Sequence, residues 1–276
     1  CSTEKYIMST LSVEDIEHLD EKGYVVKGNF FKKLDAFKIS QYTKNLLSVT
    51  HNFLKTQDLD SFKYNIDGTP SCVVKPITFH HEAFGRIAWH DTNRYQLPCS
   101  MRQDEINRTY CVVIERRGKA GFDNGMLDIT FPVDPNGNTS DHYFSNMKIP
   151  DVDLMLNKLK DYYGSEYHLE SIKIYANHSI QNPRGFHRDT SEYSQKNGKI
   201  KAFVYLTDVK DISEGPYSYI EGTHKDYNLE KKDGRERVFL GEAGTLILSN
   251  QNGLHRGLPQ ATGCSRIMMV FHLFKF

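Results

Sequence analysis

The chain has 276 residues, 38% hydrophobic and 12% aromatic, so it can bury a sizeable core and is neither a disordered tail nor a linker. Lys+Arg and Asp+Glu both number 35, and the zero formal charge leaves no overall field to draw it to nucleic acid or anionic lipid; no nucleic-acid partner is expected. Five cysteines (Cys1, Cys72, Cys99, Cys111, Cys264) form no C-x-x-C pair, which argues against a disulfide framework or a cysteine-rich zinc site.

In chain order, residues 10–24 read as a helix capped by Thr10 or Ser12, with Glu14 and Asp15 in the first turn, Ile16 and Leu19 inward, and Gly23 as the stop. Tyr24-Val25-Val26 follows as a short strand. A second, amphipathic helix over about 35–56 brings Phe37, Ile39, Tyr42, Leu46 and Leu47 near helical spacing. From about 60 to 150, short apolar pieces such as Thr109 to Ile114 alternate with Pro, Gly, Asn and Asp; this reads as strands and long loops around a site. A helix returns over 151–164, with Val152, Leu154, Met155, Leu159 and Tyr162 inward and Gly164 as its end.

Beyond residue 168 the period becomes two. Strand-like segments are read at Ile172–Ile180, Phe186–Asp189, Ile200–Val209, Tyr217–Glu221, Arg237–Leu240, Gly244–Ser249 and Ile267–Phe276, bounded by Gly, Pro, Asn or Asp. Such density without helices predicts a jelly roll or barrel. The expectation is one mainly-β domain with flanking helices over 1–276. Residues 1–165 supply helices and substrate-side loops and strands, and 166–276 the core with the chemistry.

The longest apolar runs, such as Ile267 to Phe271, fall far short of the ~18–20 residues that span a bilayer. No basic segment followed by an apolar stretch marks a secretory signal, so a cytoplasmic location is expected, with the sequons at Asn107, Asn138 and Asn177 as chance matches. A chain opening on Cys1 leaves an earlier-removed leader open, and oligomeric state is not read from the sequence.

The chemistry concentrates at Phe186-His187-Arg188-Asp189. Two potential metal ligands two residues apart on a strand face the same way. An isolated histidine, His255, follows a strand and the turn-like Asn250-Gln-Asn-Gly253. Two histidines and one carboxylate form the facial triad that leaves positions of an Fe(II) ion open for a cosubstrate and O2. Arg266, opening the last apolar strand, is suited to hold a carboxylate bidentately, and burying it without an anion would be costly. Taken singly, His-x-Asp is a common chance pair, His255 a loop histidine and Arg266 a strand-end charge; their joint occurrence in this order favours a metal site.

The segment 172–276 resembles the phytanoyl-CoA dioxygenase-like family of Fe(II)- and 2-oxoglutarate-dependent oxygenases. The resemblance rests on Phe186 to Asp189, Tyr205 to Val209, Glu214 to Lys225 with its Gly-Pro and Gly-Thr-His-Lys elements, Gly241 to Leu246, Gly253 to Gly257, and Arg266, over roughly 40% of the chain. The opening Glu17 to Val26 also resembles the family's N-terminal helix and strand.

The resemblance implies a double-stranded β-helix of cupin type, His187, Asp189 and His255 as iron ligands, Arg266 as the 2-oxoglutarate clamp and Tyr205 as an aromatic beside the cosubstrate. It implies oxidation of a small organic substrate coupled to conversion of 2-oxoglutarate to succinate and CO2. With Asp189 present where related halogenases have Ala or Gly, it favours hydroxylation, desaturation or ring formation. Some members carry a serine two residues after the distal histidine that helps bind the cosubstrate; Gly257 stands there, leaving a second carboxylate partner unidentified.

Other features read as structural. His224 is expected to be a hydrogen-bonding histidine, and Gly215-Pro216 and Gly244 to be turns. Adjacent His80-His81 and Trp89-His90 face opposite ways on a strand, which argues against a second metal site, although they could line a substrate pocket. The basic run of Arg102, Arg108, Arg116, Arg117 and Lys119 reads as a solvated face before an anion-binding one. Two rival readings stay open: a cupin-like metal enzyme that uses no 2-oxo acid, and a non-catalytic β-barrel binding a metal or small ligand.

Overall fold

The computed structural model describes residues 11–60, 67–68, 77–93, 110–117, 122–133, 141–144, 147–190 and 198–275. Helix α1 (Val13–Lys22) starts at Ser12, whose side chain accepts from Asp15 N while the Asp15 carboxylate accepts from Ser12 N, and it ends at Gly23 in the left-handed conformation. Strand β1 (Tyr24–Lys27) and helix α2 (Lys33–Leu54) follow. The buried face of α2 is Ala36, Ile39, Thr43, Leu46, Thr50 and Leu54. Phe37, two positions from Ile39, is rotated about 200° away and exposed, so it is not part of the buried stripe. Helix α3 (Val152–Tyr163) likewise buries Met155 and Leu159 and leaves Tyr162 outside.

Among the described residues of the irregular region lie β2 (Ile77–His81), β3 (Gly85–Asn93), β4 (Cys111–Arg117) and β5 (Leu127–Phe131). The C-terminal part supplies β6 (Tyr167–His178), β7 (Lys199–Tyr205), β8 (Tyr217–Ile220), β9 (Glu236–Phe239), β10 (Leu246–Asn250), β11 (His255–Gly257) and β12 (Ser265–Lys275). Among the described residues a large sheet runs β1-β10-β7-β12-β6-β5-β4-β3-β2 and a small one β11-β8-β9. From β6 onward the chain crosses repeatedly between the sheets, giving the antiparallel orders β6-β12-β7-β10 and β11-β8-β9. This is the double-stranded β-helix expected from the sequence, drawn out on one side by β5 to β2. The predicted strand Phe186–Asp189 shrinks to one antiparallel bridge, His187 with His255.

The large sheet is covered on both faces, which explains why β12 reads as a nearly unbroken apolar run. Along it Ile267, Met269, Phe271 and Leu273 pack into the larger core, with α1, α2 and α3, whereas Met268 and Val270 enter a second core shared with Tyr217, Tyr219 and Phe239 of the small sheet. Strand β7 divides the same way, Ala202 and Val204 into the first core, Phe203 and Tyr205 into the second. Truncating a fully buried member such as Phe271 to Ala is expected to cost about 3–5 kcal/mol. The period of two thus decides which residues reach the space between the sheets. Arg266, in phase with Met268, is one of them.

Candidate metal and cosubstrate site

The site lies between the two sheets at the end where the chain crosses from β6 to the small sheet. His187 N donates to His255 O at 3.1 Å and His255 N to His187 O at 3.0 Å, while Asp189 N donates to Gln251 O at 3.1 Å. These bonds draw the three residues together. One ligand atom from each of His187, Asp189 and His255 lies within 4.8 Å of the others.

Each imidazole is oriented by a carbonyl two residues earlier. His187 Nδ1 lies 2.8 Å from Gly185 O and His255 Nδ1 2.9 Å from Gly253 O. Carbonyls only accept, so Nδ1 carries the proton and Nε2 presents its lone pair. Both Nε2 atoms face one carboxylate, at 3.5 Å from His187 to Asp189 Oδ1 and 3.8 Å from His255 to Asp189 Oδ2. Burial pushes the His187 pKa down to about 4, against the raising effect of Asp189, so this ring is neutral near pH 7. Burial alone would raise the Asp189 pKa, but Lys201 and the two imidazoles outweigh it and hold the carboxyl well below the usual carboxylate range. Two imidazole nitrogens and an ionised carboxylate converging at this spacing fit a divalent ion that takes nitrogen and oxygen donors.

Two cations missed by sequence reasoning flank the carboxylate: Lys201 Nζ bonds Asp189 Oδ2, and Arg184 Nη2 lies 3.1 Å from Oδ1. Lys201 was detectable as a charge on the inward phase of β7, in step with Phe203 and Tyr205.

Arg266, 3% exposed, lines the same cavity. Its Nη1 donates to Gly215 O, its Nε has no partner, and it makes no ion pair with a described carboxylate. Burial lowers its pKa, against the opposing effect of the Tyr205 phenol. A guanidinium buried this way is a receptor for an anion. A Cβ added at Gly257 would lie 3.4 Å from Arg266 Nη2, so the absence of a side chain there leaves that face of the guanidinium open.

Tyr205 does not reach the cavity. It lies on the same face of β7 as Lys201 and Phe203 but beyond them, its hydroxyl donating to Phe239 O at 2.8 Å; Phe203 supplies the aromatic wall on this strand, and Tyr175 and Tyr217, not singled out from the sequence, also line it. His224 Nε2 donates to Asp20 O at 2.8 Å, the structural role expected. His80, His81 and Trp89 belong to the β2–β3 hairpin at the far edge of the large sheet, away from this cavity. Arg116 departs from the solvated-face reading: it lines the cavity and its Nη2 contacts the buried carboxylate of Asp128 at 2.5 Å. Arg102, Arg108 and Lys119 lie outside the described residues, as does the Arg117 side chain.

No family model matches the chain, and no curated protein matches its sequence. Solved structures do match its fold over nearly the whole length. The non-heme alpha ketoglutarate dependent carbocyclase SnoK from nogalamycin biosynthesis superposes with a TM-score of 0.52 at 11% identity, covering 96% of this chain and 84% of SnoK. HygX from Streptomyces hygroscopicus, solved with nickel and 2-oxoglutarate bound, gives a TM-score of 0.53 at 14% identity, covering 96% and 87%. AviO1 from Streptomyces viridochromogenes gives 0.50 at 12% identity, covering 96% of both chains. At these identities the likeness establishes the fold, which is of the jelly-roll type. No helix among the described residues is long and apolar enough to cross a membrane.

Proposed function

We propose that this protein is a non-haem Fe(II)- and 2-oxoglutarate-dependent oxygenase that oxidises, by hydroxylation, an unactivated C–H bond of a small organic substrate. The observation that carries the reading is one cavity lined both by a cluster of two imidazole nitrogens and a carboxylate and by a buried guanidinium that has no carboxylate partner among the described residues. A 2-oxo dicarboxylic acid offers a chelating group to the first and a carboxylate to the second. The fold is shared with SnoK and HygX, and the HygX structure with nickel and 2-oxoglutarate is support of the same kind.

In this reading His187, Asp189 and His255 hold the iron, and Arg266 binds the distal carboxylate of 2-oxoglutarate through charge-assisted hydrogen bonds. When bound, iron with 2-oxoglutarate and O2 supplies the oxidising chemistry, with succinate and CO2 as coproducts. The protein's share is orientation and exclusion of water. Gly185 and Gly253 carbonyls keep both rings in the Nδ1–H tautomer. Phe203 and Met268 wall the cavity with apolar surface, and Met126, Ile180 and Pro183 offer apolar contact to a substrate.

The test is an anaerobic titration of metal-free protein with Fe(II) and 2-oxoglutarate, following the visible iron-to-oxo-acid charge-transfer band, with Arg266→Ala as control. A band that needs both additions and weakens in the variant supports the reading. Stoichiometric iron without a band would favour a cupin-like enzyme that uses no 2-oxo acid. A fully active Asp189→Ala enzyme would sink the ligand assignment.

A further inference from the structure

We propose that Asn177 is the second hydrogen-bond partner of the distal carboxylate of 2-oxoglutarate, beside Arg266; the inference rests on the oxygenase reading above. Asn177 of β6 is directly opposite Arg266 of β12, and directly opposed residues of an antiparallel pair project from the same face. That face is the interior one, because Asn177 is in phase with Tyr175 and Arg266 with Met268, and all four line the cavity.

Asn177 is 7% exposed, and its Oδ1 is buried without a hydrogen-bond partner. Its backbone is held separately, with Gln260 Nε2 donating to Asn177 O at 3.5 Å and Gln260 Oε1 accepting from Ile180 N at 3.0 Å. The side chain is therefore not needed to fix its own strand. A buried amide oxygen facing nothing is expensive, and a half-turn about χ2 replaces it with the Nδ2 donor.

Arg266 has the complementary deficit, a buried Nε without an acceptor, and the open face at Gly257 offers no hydroxyl. A carboxylate seated on the guanidinium still has lone pairs to satisfy. Asn177 is the neutral donor whose strand position sets it beside that seat, and it satisfies a lone pair without adding charge to a pocket that already holds Arg266 and Lys201.

The experiment uses the same anaerobic charge-transfer titration, with 2-oxoglutarate and with 2-oxopentanoate, which keeps the chelating 2-oxo acid and lacks the distal carboxylate. The Kd for 2-oxoglutarate is expected to rise about tenfold in Asn177→Ala, the loss of one hydrogen bond to a charged group, and further in Asn177→Asp, whose carboxylate opposes that of the ligand. The Kd for 2-oxopentanoate is expected to be the same in wild type and Asn177→Ala, which also shows that the variant is folded and binds iron. Asn177→Ala binding 2-oxoglutarate within twofold of wild type, or losing affinity for both acids in step, would overturn the assignment. A wild-type protein giving no band with 2-oxoglutarate removes the oxygenase reading itself, and Asn177's role with it.

Discussion

His187 and His255 exchange both backbone hydrogen bonds across an isolated antiparallel bridge, so the spacing of the two imidazoles is a backbone property, with ring centroids 4.5 Å apart. The turn before His255 is correspondingly tight. A Cβ on Gly253 would fall 1.8 Å from Tyr219 Oη and 2.3 Å from its Cζ, and Tyr219 is fully buried with its hydroxyl donating to Asn250 O at 2.9 Å. Gly253→Ala must therefore shift the turn that carries His255. We expect a loss of about 1–3 kcal/mol in urea denaturation and at least about tenfold weaker Fe(II) binding. In a Tyr219→Phe background the defect should be only partly relieved, because Cζ still obstructs.

Arg188, between the two candidate ligands, acts on the other side of the chain. Its guanidinium donates to Thr223 O at 2.5 Å, Leu229 O at 2.6 Å, Asp226 O at 3.4 Å and Asn252 O, tying the His-x-Asp segment to the 223–229 loop and to the turn before His255. Arg188→Met keeps the aliphatic stem and removes the four hydrogen bonds. The expected outcome is a loss of about 2–4 kcal/mol of stability with weakened Fe(II) binding, measured by denaturation of the metal-free protein and by metal titration. Unchanged stability would show that solvent satisfies these carbonyls as well.

Lys201 makes the opposite prediction. Its ammonium sits on Asp189 Oδ2 in a side chain only 9% exposed, so it competes with any cation for the same carboxylate. At an effective dielectric of about 20, two unit charges ~5 Å apart interact by ~3 kcal/mol, doubled for a divalent ion and reduced by whatever movement Lys201 makes. Lys201→Met should bind Mn(II) several-fold more tightly than wild type by calorimetry. Weaker binding would mean that the lysine positions Asp189 more than it repels the metal.

The sequence showed the parts of this site that depend on period and order, and less of those that depend on neighbours. His187, Asp189 and His255 were legible from residue type and order, and Arg266 because the double coverage of the large sheet makes β12, which it opens, read as a core strand. The Phe186–Asp189 strand was over-read because a single bridge leaves no longer apolar or alternating trace. Phe203 and Tyr205 share a face of β7, and pattern alone does not tell which reaches the cavity; the depth of the Phe239 carbonyl that takes up the Tyr205 hydroxyl decides it. Tyr162 was assigned inward on hydrophobicity, whereas the buried stripe of its helix leaves it outside. Asn177 was met only as part of a sequon. Its place opposite Arg266 depends on a pairing between residues far apart in the chain.

Behind the site, His272 gives the fold a pH dependence of definite sign. It lies on β12 next to Lys201 of β7, with Nε2 3.3 Å from Tyr175 Oη and Nδ1 3.8 Å from Glu170 Oε2. Burial, helped by the Lys201 cation, pushes its pKa from 6.5 down to about 3, so the folded protein holds it neutral while the unfolded chain takes up a proton. A histidine with a depressed folded pKa contributes its full share of stability above about pH 6.5 and loses it as the pH falls toward about 3, at about 1.4 kcal/mol per pH unit. His187, pushed down to about 4, acts in the same direction in the metal-free protein. Urea denaturation of metal-free wild type should therefore show about 2 kcal/mol lost for His272 between about pH 6.5 and about pH 5, and His272→Gln should remove that contribution, giving a shallower slope. Equal slopes in the two proteins would mean that His272 is protonated in the folded state, paired with Glu170.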